Sequence, residues 1–361
     1  MRIGFLLSGS MDTLTGGYIY DRQLVQYFRH NGHQVDVIRL PGRSYLNRLL
    51  HASSLVLSRE LNHLSADIVL EDELDHPALF FFNRILKKRA SRPVVSIVHN
   101  LHSRELRAKW QNQLYRQVEK YYLFSVDGFV FNSHATRQSV ENLIGSIRPS
   151  ITANPCGNRL PSQISESEIA ERAIKPGPLR IIFLGNLFRN KCLHVLLAAL
   201  GQLSENSYYL TVVGDLTMDK PYVKTIKEQI KELNLDRKVS FTGPLNNAEL
   251  AAVLKENQVL AVPSFYEGYG IAYLEGMGCG LPAIGTSAGG AGEIITHGKD
   301  GFLIPPGDSQ ALSGYLNELN QNRDRLAAMS LAAYQRFNSH PTWQTSCDRI
   351  LDFLLSLTSA G

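Results

Sequence analysis

Cysteine is scarce in this chain of 361 residues: Cys156, Cys192, Cys279 and Cys347 form neither a Cys-x-x-Cys pair nor a cluster. That excludes a disulfide framework and fits a reducing, cytoplasmic setting. No stretch approaches the roughly 20 apolar residues of a membrane span, so the chain reads as soluble or at most peripheral. The opening apolar run, IGFLL, is too short and wrongly flanked for a signal peptide and reads as a first strand. There is no short repeat, no low-complexity tract and no G-x-G-x-x-G fingerprint, so nicotinamide binding has little support. No recognised nucleic-acid motif accompanies the charge, and no nucleic-acid partner is expected.

What is present describes an ordinary globular protein. The 44% hydrophobic content supplies real cores, and the length exceeds what one core organises, so two domains are expected. Short β-rich apolar runs alternate with stretches of helical period, the pattern of parallel strands joined by crossover helices. In the first half the strands are RIGFLLS, HQVDVIRL, ADIVLE, PVVSIVH, DGFVFNS and SITAN. In the second they are LRIIFLGN, YYLTVVGD, KVSFTG, QVLAVPS, LPAIGT and GFLIPP. The fold class is α/β, with two Rossmann-like doubly wound domains facing a cleft. The expected divisions are residues 1–157, a polar, proline-bearing linker at 158–178, a second domain at 179–340, and a C-terminal helix at 341–361 returning to the first domain. The break at NSHPTW precedes that helix, because proline and the residue before it disfavour helix continuation.

Chemistry concentrates in SFYEGYGIAYLEGMGCGLPAIGTSAGG, residues 264–290. Strand QVLAVPS ends at Ser264, and ligands of open α/β sheets bind at the carboxyl ends of strands. Glu267 follows, Gly268 and Gly270 allow close backbone approach, and a helix starting near Ile271 offers N–H groups and a positive dipole end to an anion. Glu275 lies about one turn further, on the face of Ile271. Carboxylates suit sugar and ribose hydroxyls, whereas acids beside a phosphate would repel it. The acids are therefore assigned to sugar and ribose and the backbone to phosphate, although both glutamates could also be solvated helix-start acids.

The stretch PSFYEGYGIAYLEGMGCGLPAIGTSAGGAGEII resembles the donor-binding signature of the retaining glycosyltransferases of family 4. The likeness extends to HGKDGFLIPPGD, GNLFRNK, FTGPL, TGGYIYDRQLVQYFRHNGHQVDVI, SIVH and NPCGN, the last holding Asn154 and Gly157. It implies a GT-B fold, a nucleotide-diphosphate-sugar donor held mainly by the second domain, and no metal or other cofactor. It further implies that Glu267 contacts the transferred sugar, that Glu275 binds the donor ribose, and that Gly268, Tyr269, Gly270 and Ile271 line sugar and diphosphate. Lys191 stands where the family has its diphosphate lysine. The family's arginine after the strand-end glycine is Asn186 here, and Arg189 on the same loop is the candidate replacement. His99 ends its strand where similar enzymes have a histidine beside the donor sugar. Gly16 and Gly17 follow the first strand and read as a phosphate or acceptor approach, or as a plain turn.

His102 makes a His-x-x-His pair with His99, yet no third ligand is spaced nearby, and EDELD at residues 71–75 reads as a solvated strand-end loop, so no metal is expected. The segment from Arg84 to Lys120 holds ten basic residues against two acids in a chain of net charge +4. It suits an anionic membrane surface or a phosphorylated acceptor, unless its phenylalanines are core and its cations merely solvated. The reading is a retaining, metal-independent glycosyltransferase acting on a lipid-linked, polysaccharide or small-molecule acceptor. Another GT-B sugar-nucleotide enzyme such as an epimerase, or a non-catalytic sugar-nucleotide-binding subunit, is the alternative.

Overall fold

The computed structural model describes residues 1–9, 11, 13, 15–40, 45–51, 65–89, 92–146, 148–160 and 164–359, without the side chains of 46, 50, 51 and 84–89. The chain divides into two compact units, residues 1–155 with 341–361, and residues 156–340. The first contains β1 (Arg2–Ser8), β2 (Gln34–Leu40), β3 (Ile68–Asp72), β4 (Val94–Val98), β5 (Gly128–Phe131) and β6 (Ser150–Thr152). They form one parallel sheet in the order β2-β1-β3-β4-β5-β6. The second contains β7 (Leu179–Leu184), β8 (Tyr208–Val213), β9 (Val239–Gly243), β10 (Val259–Ala261), β11 (Ala283–Thr286) and β12 (Gly301–Ile304). Their order is β12-β11-β10-β7-β8-β9, again parallel. All twelve runs read from the sequence as strands are strands.

Burial explains the composition of these runs. Every residue of β3, β4, β5 and β11 is buried, as a parallel sheet covered on both faces requires, and hence apolar runs replace alternation. At the sheet edge β9 instead alternates between half-buried and exposed positions. In each unit the chain lays strands to one side of the first strand, then crosses to its other side. The reversal falls between β1 and β3 in the first unit and between β7 and β10 in the second. Loops leaving those strands part there and open a crevice at their carboxyl ends.

The stretch expected as a linker carries the helix Glu166–Ile174. A reciprocal capping box starts it, Ser165 Oγ accepting from Glu168 N–H and the Glu168 carboxylate accepting from Ser165 N–H. The C-terminal helix Trp343–Ser359 packs within the first unit on helix Gly16–His30. Trp343 meets Tyr20 edge-on with ring centroids 5.6 Å apart, and Ser346 Oγ donates to the Asn154 carbonyl at 2.7 Å.

One expectation is corrected. Residues 71–75 are not a solvated loop: Glu71, Asp72, Glu73 and Asp75 are at most 2% exposed, because β3 is an inner strand and the turn after it folds under helix His76–Arg89. The phenylalanines before the basic segment split, Phe82 entering the core while Phe81 stays 44% exposed. The basic side chains Arg84, Lys87, Lys88 and Arg89 lie outside the described residues. All four cysteines are buried.

Candidate active site

In the second unit the crevice between β7 and β10 holds an ion pair. The turn after β7 bears Lys191, and the loop after β10 bears Glu267; Lys191 Nζ lies 2.7 Å from Glu267 Oε2. Ser264 Oγ donates to the same oxygen at 2.9 Å. The pair is partly open, with side-chain exposures of 19% and 16%, so a ligand can reach it. Asn190 braces the junction: its carbonyl accepts from Phe265 N–H at 2.8 Å and its side-chain amide donates to the Tyr266 carbonyl at 3.0 Å.

The second glycine-rich turn holds the first in place. Gly290 N–H donates to the Glu267 carbonyl at 2.8 Å, and Glu267 N–H donates to the Ala288 carbonyl at 3.3 Å. A Cβ on Gly289, whose φ is +91°, would sit 2.0 Å from the Glu267 carbonyl oxygen, and one on Gly290 would sit 2.4 Å from that of Gly268. Backbone approaches that close admit only glycine.

Helix Ile271–Gly278 starts as expected. Its cap is Gly270, at φ +110°, and no side chain caps its first turn. The helix dipole and the first-turn N–H groups of Ile271 thus face a site lined by the Gly268–Gly270 backbone. Tyr269 is buried and its hydroxyl bonds to His340 Nε2. Glu275 is 4% exposed; burial raises its pKa, and Arg159 pulls the other way. Arg159 Nε donates to Glu275 Oε1 while its Nη1 donates to Asn247 Oδ1. Gly157 lies against this helix, where a Cβ would come within 2.7 Å of Leu274 Cβ.

Asn186 is used structurally, its Oδ1 accepting from Asp215 N–H at 3.0 Å. An amide serving the β8 loop in this way cannot replace a guanidinium. Arg189, two residues before Lys191, is exposed and is the nearest free cation in sequence among the described residues.

In the first unit, His99 follows β4 and is 7% exposed. Its Nε2 is 3.0 Å from Asp21 Oδ1, and its carbonyl accepts from Asn132 Nδ2 at 2.8 Å. Gly16 and Gly17 form the first turn of helix Gly16–His30, capped by Thr15 Oγ1. A Cβ on Gly17 would stand 3.1 Å from His99 Cδ2, so this glycine lets the ring lie against the helix. His102 is not part of that arrangement. It stacks on Tyr45 and neighbours Tyr115, and burial followed by Arg107 lowers its pKa to about 3.

Ser264, Arg159 and Asp21 were missed by sequence reasoning. Ser264 was seen only as a strand end. The other two carry no local signal, since their partners lie 116 and 78 residues away.

Residues 165–336 match the family Glycosyl transferases group 1, and residues 16–157 match Glycosyltransferase Family 4. The chain belongs to this glycosyltransferase family. It is 26% identical over 258 residues to a glycogen synthase of Mycobacterium tuberculosis, covering 70% of this chain and 60% of that protein. It is 28% identical over 255 residues to a D-inositol 3-phosphate glycosyltransferase of Corynebacterium urealyticum, covering 67% and 59%. The matched stretch thus spans about three fifths of these relatives. In three dimensions the chain resembles sucrose-phosphate synthase of Thermosynechococcus elongatus, with TM-score 0.84, 18% identity and full coverage of both chains. Anabaena HepE in complex with UDP-glucose gives 0.80 at 22% identity, covering 99% of this chain and all of that one. The family member has the GT-B fold class expected from its sequence.

Proposed function

We propose that this family member transfers a sugar, with retention and without a metal, from a nucleotide-diphosphate sugar to an acceptor hydroxyl. The Lys191–Glu267 pair at the strand reversal carries the reading. A diphosphate leaving group develops negative charge, and a fixed ammonium beside it stabilises that charge more in the transition state than in the ground state. Lys191 supplies the charge, the amides at Gly270 and Ile271 supply N–H donors, and Arg189 stands in for the arginine replaced by Asn186. Glu267, oriented by Ser264 and Lys191, accepts hydrogen bonds from the hydroxyls of the transferred sugar. Glu275 binds the ribose, with Arg159 as the partner of its buried carboxyl. His99 is assigned to the same sugar by the family resemblance. The acceptor hydroxyl attacks from the face the diphosphate leaves, and the leaving phosphate takes its proton, so no separate protein base is needed.

HepE was solved with UDP and with UDP-glucose, which makes uridine donors the first to test. Without added metal, a UDP-sugar at about 100 times its Kd should stabilise the folded protein by about 2.7 kcal/mol, read as a rise in Tm. GDP and ADP conjugates serve as comparisons. No shift with any nucleotide, with or without magnesium, would favour a non-catalytic subunit whose diphosphate site is weakened at Asn186.

We also propose that the first unit meets an anionic membrane surface at a cytoplasmic face, where a lipid-linked acceptor would lie. On helix Lys109–Leu123 the exposed Trp110, Leu114 and Tyr121 fall within about 40° at about 100° per residue, flanked by exposed Lys109, Arg116 and Lys120. An apolar stripe beside a basic one suits a helix lying in a membrane interface. The protein should sediment with phosphatidylglycerol vesicles at low salt and less at moderate salt, and replacing Trp110, Leu114 and Tyr121 by serine should weaken binding about tenfold or more. Absence of binding at both salts would refute the membrane reading.

A further inference from the structure

His99 is surrounded by acid. Asp21 from helix Gly16–His30, Asp72 from the end of β3 and Glu73 from the turn after it all act on the imidazole, and all three are at most 2% exposed. Asp21 Oδ1 receives the ring at 3.0 Å, while Asp21 Oδ2 is buried without a hydrogen-bond partner. A carboxylate so removed from water is costly unless a cation faces it, and among these groups only the imidazole can become one. The ring cannot turn away. Tyr20 meets it edge-on with centroids 5.2 Å apart, Gly17 lies against its Cδ2 side, and Asn132 holds its carbonyl.

Asp72 and Glu73 add to the acid around the ring. Burial, then Asp21, raises the Asp72 pKa well above its usual range, and burial likewise raises that of Glu73. Burial alone would lower the His99 pKa; Asp21, Asp72 and Glu73 together outweigh it and bring it to about 9. Nδ1 makes no hydrogen bond among the described residues, and the residue keeps a small exposed surface.

We propose that Asp21 is a positioning residue that holds His99 as a doubly protonated imidazolium, with Nε2–H donated to Asp21 and Nδ1–H offered to an oxygen of an anionic or hydroxyl-bearing ligand. The inference rests on the reading of His99 as a substrate-facing residue. It adds that the histidine works as a fixed cation rather than as a neutral donor or base. Transferase activity should then persist on the alkaline side until the imidazolium loses its proton.

Asp21, Asp72 and His99 also have ligand atoms within 4.8 Å of one another, a spacing that could hold a metal ion. Nε2 faces Asp21 at 3.0 Å, the distance of a hydrogen bond. A second such group, Glu73, His76 and Glu119, has both ring nitrogens of His76 engaged, one with the Glu73 carbonyl at 3.0 Å and one with Tyr45 at 2.9 Å.

The test is the His99 ring titration by NMR in the full chain, beside the pH profile of kcat/KM. Wild-type His99 should titrate near 9, and Asp21→Asn should bring it clearly down, because the strongest of the acids that oppose burial is then lost. The alkaline limb of kcat/KM should move down with it, and lowering the pH should restore the Asp21→Asn enzyme, which a purely structural defect would not permit. Asp72→Asn, which can still cap the turn after β3, should give a smaller downward shift and covers the case in which Asp21→Asn does not fold. An unshifted His99 in both variants, an ordinary wild-type value, or one equivalent of metal whose removal alone releases the titration would each overturn the proposal. The NMR result stands even if no transferase activity is found, so failure of the enzymatic reading is told apart from failure of this one.

Discussion

Glu267→Gln is expected to lower kcat by about 10²- to 10³-fold while leaving nucleotide affinity within a few-fold of wild type, the scale seen when one preorganised active-site group is lost. Its shape is nearly conserved, so the loop should persist. What disappears is the charge: Lys191 Nζ and Ser264 Oγ both donate to Oε2, and an amide oxygen accepts from them more weakly. The freed ammonium would then bind the diphosphate as tightly in the ground state as in the transition state, which favours substrate binding without helping turnover. Lys191→Met should cost a similar factor by removing the cation instead. Because the two side chains touch, the double variant should fall well short of the product of the single effects. Steady-state kinetics on all four proteins decides the matter. Turnover of Glu267→Gln within tenfold of wild type would remove Glu267 from the chemistry.

Gly289→Ala should lower the melting temperature of the second unit by about 5 °C or more and abolish turnover. The cost combines a positive φ, for which an alanine pays about 1–3 kcal/mol, with a Cβ placed 2.0 Å from the Glu267 carbonyl oxygen. At about 2–4 °C per kcal/mol for a domain of this size, the predicted drop follows. Gly292→Ala is the control, since its Cβ would meet only Leu303 Cδ1, at 3.8 Å. Differential scanning calorimetry of both variants should separate them clearly. Equal, unchanged melting temperatures would mean that the two glycine turns do not brace each other.

The two variants address the two layers of the site, and the layers differ in how far the sequence reveals them. Glu267 is legible because it follows a strand end and precedes a glycine-rich helix start, all within one short window. The need for Gly289 is also visible as a second glycine turn, but its reason is not: the backbone it approaches becomes a neighbour only when β10 and β11 pair. Asn186 stood out as a departure from the family pattern, and the structure adds that its side chain serves the β8 loop. Residues 71–75 misled for a simple physical reason. Five residues with four carboxyl groups look solvated by composition, yet inner-strand position and the covering helix decide burial, and the acids respond with raised pKa values, Glu71 to about 8.

By itself the sequence determined the twelve strands, their crossover helices and the strand ends that bear Glu267, Lys191 and His99, because periodicity, caps and glycine turns act over a few residues. Only the tertiary structure decided which charges meet. Lys191 finds Glu267 across 76 residues, Arg159 finds Glu275 across 116, and Asp21 finds His99 across 78. Strand order brings those partners together, and burial then makes each pairing matter, since a charge withdrawn from water depends on the partner the fold supplies.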